Sequence, residues 1–192
     1  LRFWPTAIEE RNKPVKKETV RCIIIFDFNR LNLAILIYPQ FIFMNTNEQL
    51  MTGFYTAFQK LDYKTMQECY ADDIVFSDPA FGLLQGDEAK AMWEMLCKRA
   101  GDFSLEFSNA VSEDEYGTCN WTATYIFSKT GRKVVNNIKA HMKFADGKIT
   151  EHSDAFKLSK WAAQALGWKG WLLGWTGFMQ RKIQQQARKG LE

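Results

Sequence analysis

Tyr70-Ala71-Asp72-Asp73-Ile74-Val75-Phe76-Ser77-Asp78-Pro79-Ala80-Phe81-Gly82 is the stretch that decides the fold. It reads as a helix end running into a short apolar strand, Ile74–Ser77, which delivers one carboxylate, Asp78, to a proline turn. An acid so placed, with apolar residues on both sides, is either a turn former or the working group of a pocket. Upstream, Leu50, Phe54, Phe58 and Leu61 recur at helical spacing, and a second helix over Tyr63–Tyr70 turns Met66, Cys69 and Tyr70 inward. Downstream, a loop passes through Gly82 and Gly86. Asp87 then stands where it would cap a third helix, Glu88–Arg99, whose Ala91, Met92, Met95 and Leu96 are apolar with Trp93 beside them.

Beyond Arg99 the apolar period shortens to two. Strands are predicted at Phe103–Phe107, Cys119–Phe127, Val134–Phe144 and Ile149–Leu158. Their turns are Lys129-Thr130-Gly131-Arg132 and Ala145-Asp146-Gly147-Lys148, the second with the Asp-Gly hairpin signature. Helices first and an antiparallel meander after them predict an α+β fold, with the three helices packed on one face of a curved sheet. Residues 159–192 return to helix and hold four of the seven tryptophans. This tail is expected to pack on the domain or on a dimer partner. A membrane-surface helix is the other reading, disfavoured because the apolar run is short and broken by glycine.

At 192 residues, 46% hydrophobic and 15% aromatic, the chain can bury a substantial core. Its net charge of +3 resides in residues 1–43, which carry seven Lys/Arg against four Asp/Glu. The rest is neutral, so the basic footprint of a nucleic-acid binder is missing. Residues 1–43 contain neither a clean signal cleavage site nor an uninterrupted apolar span. They read as an extension ahead of a plausible start at Met44, outside a functional domain spanning 44–158. Cys22, Cys69, Cys97 and Cys119 are widely spaced and suit neither zinc nor a disulfide framework. Buried free thiols in a reducing, cytoplasmic compartment are expected.

Side chains alternate along a strand, so Thr150, His152, Asp154 and Phe156 share one face of the last strand. Asn136, Ile138, Ala140, Met142 and Phe144 form the apolar face of the preceding one, and Trp121, Ala123, Tyr125 and Phe127 come from its other neighbour. This gathers a carboxylate and an imidazole in an aromatic cavity, a general acid/base unit or else a structural His–Asp hydrogen bond. His141 faces the other way. No GxSxG, HExxH, P-loop or GxGxxG motif occurs, and neither metal nor cofactor is expected.

Residues 47–158 resemble the nuclear transport factor 2-like superfamily, nearest its SnoaL-like and ketosteroid-isomerase-like branch. The likeness rests on the helix pair, Ala71-Asp72-Asp73, Phe76-x-Asp78-Pro79, Gly86 before a helix, and Gly147-Lys148-Ile149 before the last strand. It implies a cone-shaped scaffold that hosts isomerases, cyclases, epoxide hydrolases and inert binders alike. It also implies a general-base aspartate at Asp78. The oxyanion-hole tyrosine and aspartate of the steroid isomerases fall at Phe54 and Ala140, so steroid isomerase activity is not expected. The SnoaL-like cyclases place an acid on the last long strand, at Asp154. Arg132 is a candidate for the middle member of the epoxide hydrolases' Asp-Arg-Asp set.

The combined expectation is a homodimeric protein that binds a small apolar molecule, polyketide-, terpenoid- or steroid-like, without nucleic acid or membrane. Asp78, Asp154 and His152 would carry cofactor-free acid/base chemistry. Trp93, Trp121, Tyr125, Asn136, Met142 and Phe156 would bind the ligand. The alternative is a non-catalytic binding or dimerisation module of the same fold.

Overall fold

The computed structural model describes residues 45–191. The extension at 1–43, with Cys22, therefore lies outside the described residues. Helices α1 (Thr46–Gln59) and α2 (Tyr63–Cys69) come first, then strands β1 (Tyr70–Asp78) and β2 (Gly82–Gln85) and helix α3 (Asp87–Arg99). Strands β3 (Ser104–Glu113), β4 (Tyr116–Phe127), β5 (Arg132–Ala145) and β6 (Lys148–Ala155) follow. Helices α4 (Leu158–Leu166), α5 (Trp168–Leu173) and α6 (Gly177–Arg188) form the tail.

Asn45 starts α1 by accepting from the Asn47 amide, while the Glu48 carboxylate reaches back to the Asn45 amide as a capping box. The helix then buries Met51, Phe54, Tyr55, Ala57 and Phe58, the i, i+3, i+4, i+7 face that a sheet-packed helix needs. Asp62 caps α2 through the Thr65 amide. Gly86, not Asp87, is the N-cap of α3. Its φ of 50° is one that glycine adopts freely, and Asp87 and Glu88 then sit in the first turn, where the helix dipole favours acids.

The six strands form one sheet in the order β2-β1-β6-β5-β4-β3. The meander β3 to β6 is antiparallel, as the sequence pattern predicts, but β1 joins it by a parallel pairing with β6. Asp146 and Gly147 both have positive φ, so the β5–β6 turn is the tight hairpin their sequence specifies. The predicted loop after Pro79 is instead a hairpin: Asp78 pairs with Gly82, and β2 forms the sheet edge. A strand of four residues between two glycines is too short for periodicity to register.

The tail docks by polar contacts as well as packing. Gln164 of α4 clasps both the amide and the carbonyl of Val135 in β5, and Arg132 and Thr130 donate to the carbonyls of Gln164 and Ala165. Arg132 is thereby a tail-docking residue of β5. Helix α5 lies tightly on α4, because a Cβ at Gly170 would overlap the Ala162 carbonyl. Gly170→Ala is expected to lower stability by about 2–3 kcal/mol. Gly177→Ala, where nothing lies within 4 Å of the added carbon, should be neutral or slightly stabilising. Thermal unfolding of the two variants checks this pair.

Candidate active site

Asp78 closes β1, and its side chain accepts from the Phe81 amide, as an aspartate does in a short turn. Helix α6 holds the same turn from outside. Gln184 donates to the Pro79 carbonyl, and Arg188 donates to the carbonyls of Phe81 and Leu83. The carboxylate is thus fixed by its own hairpin and by the tail.

A cavity of about 800 Å³ opens between the concave face of the sheet, α3 and the tail. Asp78, Asp154, Trp93, Trp121, Tyr125, Asn136 and Phe156 all line it, and Trp161, Met179 and Ile183 complete it from α4 and α6. Two of the sequence candidates stand elsewhere. Met142 is buried in the core and His152 sits behind the wall, and neither lines the cavity. Arg132 is also absent from the lining, being spent on α4.

Strand parity alone would turn Thr150 inward beside His152. A register shift between Lys143 and Phe144 breaks the alternation, so Ile149 is fully buried and Thr150 bonds the Lys143 carbonyl. His152 and Asp154 do point inward, and among the described residues they are the only buried side chains other than those of the hydrophobic, tyrosine and cysteine core. His152 Nδ1 lies 2.7 Å from the Tyr70 hydroxyl and Nε2 lies 3.1 Å from Asp154 Oδ1. The Tyr55 hydroxyl stands 3.5 Å from Nε2.

The indoles set the directions in this network, since they can only donate. Trp93 donates to the Tyr70 oxygen at 2.8 Å, which leaves the Tyr70 proton for His152 Nδ1. His152 Nε2–H then donates to Asp154 Oδ1, which also accepts from Trp121 at 3.1 Å. The relay therefore runs from Trp93 to Tyr70 to His152 to Asp154, and the imidazole is enclosed by Phe54, Phe76 and Trp93. Tyr55 and Tyr70, which sequence reasoning did not assign to the site, hold the histidine. Burial, reinforced by the Asp154 charge, raises the pKa of both phenols well above the usual value.

Asp78 is different. Burial pushes its pKa from the ordinary 3.8 up to about 7; the Asp154 charge adds to the rise, and the Phe81 amide opposes it. Tyr125 faces the same space. Burial raises its pKa, the hydrogen bond from Trp161 opposes the rise, and the Asp78 charge adds to it. Trp161 donates to the Tyr125 oxygen at 2.7 Å, so the phenol keeps its own proton for a partner in the cavity. Among the described residues no group of three His, Cys, Asp or Glu side chains is placed to hold a metal ion. Cys69, Cys97 and Cys119 are free, buried thiols.

A family model for the SnoaL-like domain matches residues 51–152, more than half of the chain. The chain belongs to the SnoaL-like domain family. A search of curated proteins finds no significant match to this SnoaL-like chain. Solved structures share its fold at low identity. A ketosteroid isomerase-like protein from Catenulispora acidiphila, in complex with trimethylamine, matches with a TM-score of 0.54 at 15% identity, covering 61% of this chain and 92% of its own. A proposed polyketide cyclase from Xanthomonas campestris gives 0.53 at 19%, covering 62% and 96%. An LEH-like epoxide hydrolase from M. tuberculosis gives 0.55 at 19%, covering 66% and 92%. At such identities the likeness establishes the fold, and the chemistry must be argued from the cavity.

Proposed function

We propose that this SnoaL-like protein binds a small apolar carbonyl compound, polyketide- or terpenoid-like, and removes a proton next to its carbonyl without a cofactor. The observation that carries this reading is one carboxylate whose pKa is raised to about 7 inside an apolar, aromatic cavity of about 800 Å³. A base is most effective when its pKa lies near the working pH, and a water-poor wall strengthens every charge inside it. Asp78 is the base. Tyr125 donates its free proton to the carbonyl oxygen and stabilises the enolate, with Trp161 as the residue that orients it. Asn136 supplies a further polar contact, and Trp121 and Phe156 flank the ring system. Asp154 is a fixed charge held by Trp121 and His152, which makes His152 a positioning residue rather than the acid.

The neighbours with cyclase and epoxide hydrolase descriptions agree with small-molecule chemistry in such a cone. The test is exchange of α-protons in D₂O for a panel of cyclic ketones and lactones, followed by NMR. Wild-type protein is expected to accelerate exchange of at least one class. Tyr125→Phe should retain binding and lose about 10²- to 10³-fold of the rate, the usual effect of deleting one oxyanion donor. Saturable binding without any exchange across the panel would instead favour the non-catalytic binding module.

A further inference from the structure

Helix α5 and the residues just after it present their large apolar side chains outward, unlike α4 and α6, which bury Ala162, Met179 and Ile183. In α5 and the turn after it, Trp168, Trp171 and Trp175 recur at i, i+3 and i+7, the spacing of one helical face. That face is outward: the three residues are 71%, 74% and 78% exposed, and Phe178 follows at 64%. The face turned to the protein carries Gly170, where an added Cβ would run into the Ala162 carbonyl, and Gly174, where it would crowd the Ala162 Cβ and Ser159 Cα of α4. The glycines let α5 press its backbone on α4 and hold the indoles out. The sequence expectation is a tail packed on the domain or on a dimer partner; Trp161 lies against the domain, whereas these residues face outward. Leu172 and Leu173 are also exposed, so the patch is much larger than the isolated apolar residues normal on a surface.

The charged residues of the described tail are of one sign. Residues 159–191 contain Lys160, Lys169, Arg181, Lys182, Arg188 and Lys189, and no acid. The Lys169 ammonium lies over the Trp168 ring and that of Lys182 over Phe178, so cations flank the aromatics directly. Trp168, Lys169 and Lys182 also line the cavity, so the patch continues into its mouth. No helix among the described residues is long and apolar enough to cross a membrane.

We infer that this face lies on an anionic lipid surface, inserting its indoles at the headgroup level while the lysines meet lipid phosphates. Indoles with lysines at their rim, on a tail whose residues 159–191 carry six cations and no acid, match that surface chemically. A second copy matches less well, since a two-fold contact would set the same lysines against each other. The position at the cavity mouth lets an apolar ligand pass from the lipid into the cone; this last step rests on the function proposed above, whereas the docking does not.

Flotation of the full chain with vesicles tests the docking without any ligand. Binding to phosphatidylcholine vesicles containing about 30% phosphatidylglycerol is expected to exceed binding to pure phosphatidylcholine by at least tenfold and to weaken with salt. Trp171→Ala/Trp175→Ala should lower it at least about tenfold with an unchanged thermal midpoint, and Lys169→Glu/Lys182→Glu should remove the preference for anionic lipid. The inference is overturned if the wild type stays unbound, or if the tryptophan variant binds like the wild type. It is also overturned if that variant changes a sedimenting dimer into a monomer, which would make the patch a self-association face. Docking that persists when no compound shows proton exchange would sink only the loading step and the function behind it.

Discussion

Asp78→Asn is expected to lower the rate of α-proton exchange by about 10²- to 10⁴-fold, the range of a lost general base, and to make the protein more stable above pH 7. Both effects come from one cause. The carboxyl group has a folded-state pKa of about 7 against an ordinary 3.8. Between these values the native state holds a proton that the unfolded chain releases, so stability falls as pH rises through the window. Above pH 7 the folded protein carries the full penalty of a desolvated charge, and the asparagine removes it. The gain at pH 8 should be about 2 kcal/mol, roughly half the full linkage value, because Asp78 is only partly buried. Near pH 4, where the acid is protonated in the folded state, the gain should vanish. The amide oxygen still accepts from the Phe81 amide, so the turn survives. Wild-type exchange should rise with pH around a midpoint near 7, and the variant should show no such limb. Denaturant titrations at the two pH values, with the pH–rate profile, check the set. A variant that is inactive yet no more stable at pH 8 would mean that Asp78 is not strained in the way proposed.

His152→Leu is expected to cost about 3 kcal/mol, a fall in melting temperature of roughly 6–12 °C, without removing any group that touches the ligand. The imidazole is fully enclosed and joins Tyr70 to Asp154. Removing it leaves a buried phenol without its acceptor and a buried carboxylate with Trp121 as its remaining side-chain donor. Asp154→Leu alone should be costly for the matching reason, since it leaves the imidazole N–H unpaired. The double variant should be less damaging than the sum of the two, because apolar packing replaces both halves of the pair at once. Additive losses in a double-mutant cycle would show that the relay is not a coupled unit. In the exchange assay His152→Leu should lose far less activity than Asp78→Asn, since in the proposed reaction its part is to hold Asp154 rather than to move the substrate proton.

Much of the fold is legible along the chain because it depends on local rules. The helical spacing of Phe54 and Phe58, the Asp146-Gly147 turn and the alternation from Asn136 to Phe144 are short-range properties, and each appears where its residues require. Alternation likewise turns Asp154 and His152 inward. It misplaces Thr150, because a register shift is set by how two strands fit and not by either strand's own pattern. Met142 follows its parity correctly and still falls outside the cavity, since facing the core and lining its void differ by the depth of packing above the residue.

Residue types at fixed local spacing suffice for the α+β class, the three leading helices, the antiparallel meander and an aspartate set just before Pro79, and the family is legible as a resemblance of motifs, but β2 is not. How those residues are brought together depends on contacts between distant segments. The parallel pairing of β1 with β6 puts Phe76 opposite His152 and brings Asp78 and Asp154 to one cavity, which raises the pKa of the first. Tyr70 and Trp93 take up the imidazole from distant parts of the chain, and Trp161 turns the Tyr125 proton into the cavity. The outward set of the tail tryptophans follows from two glycines meeting α4. Desolvation, hydrogen-bond direction and close backbone approach depend on what surrounds a residue in space, and a linear pattern does not carry that.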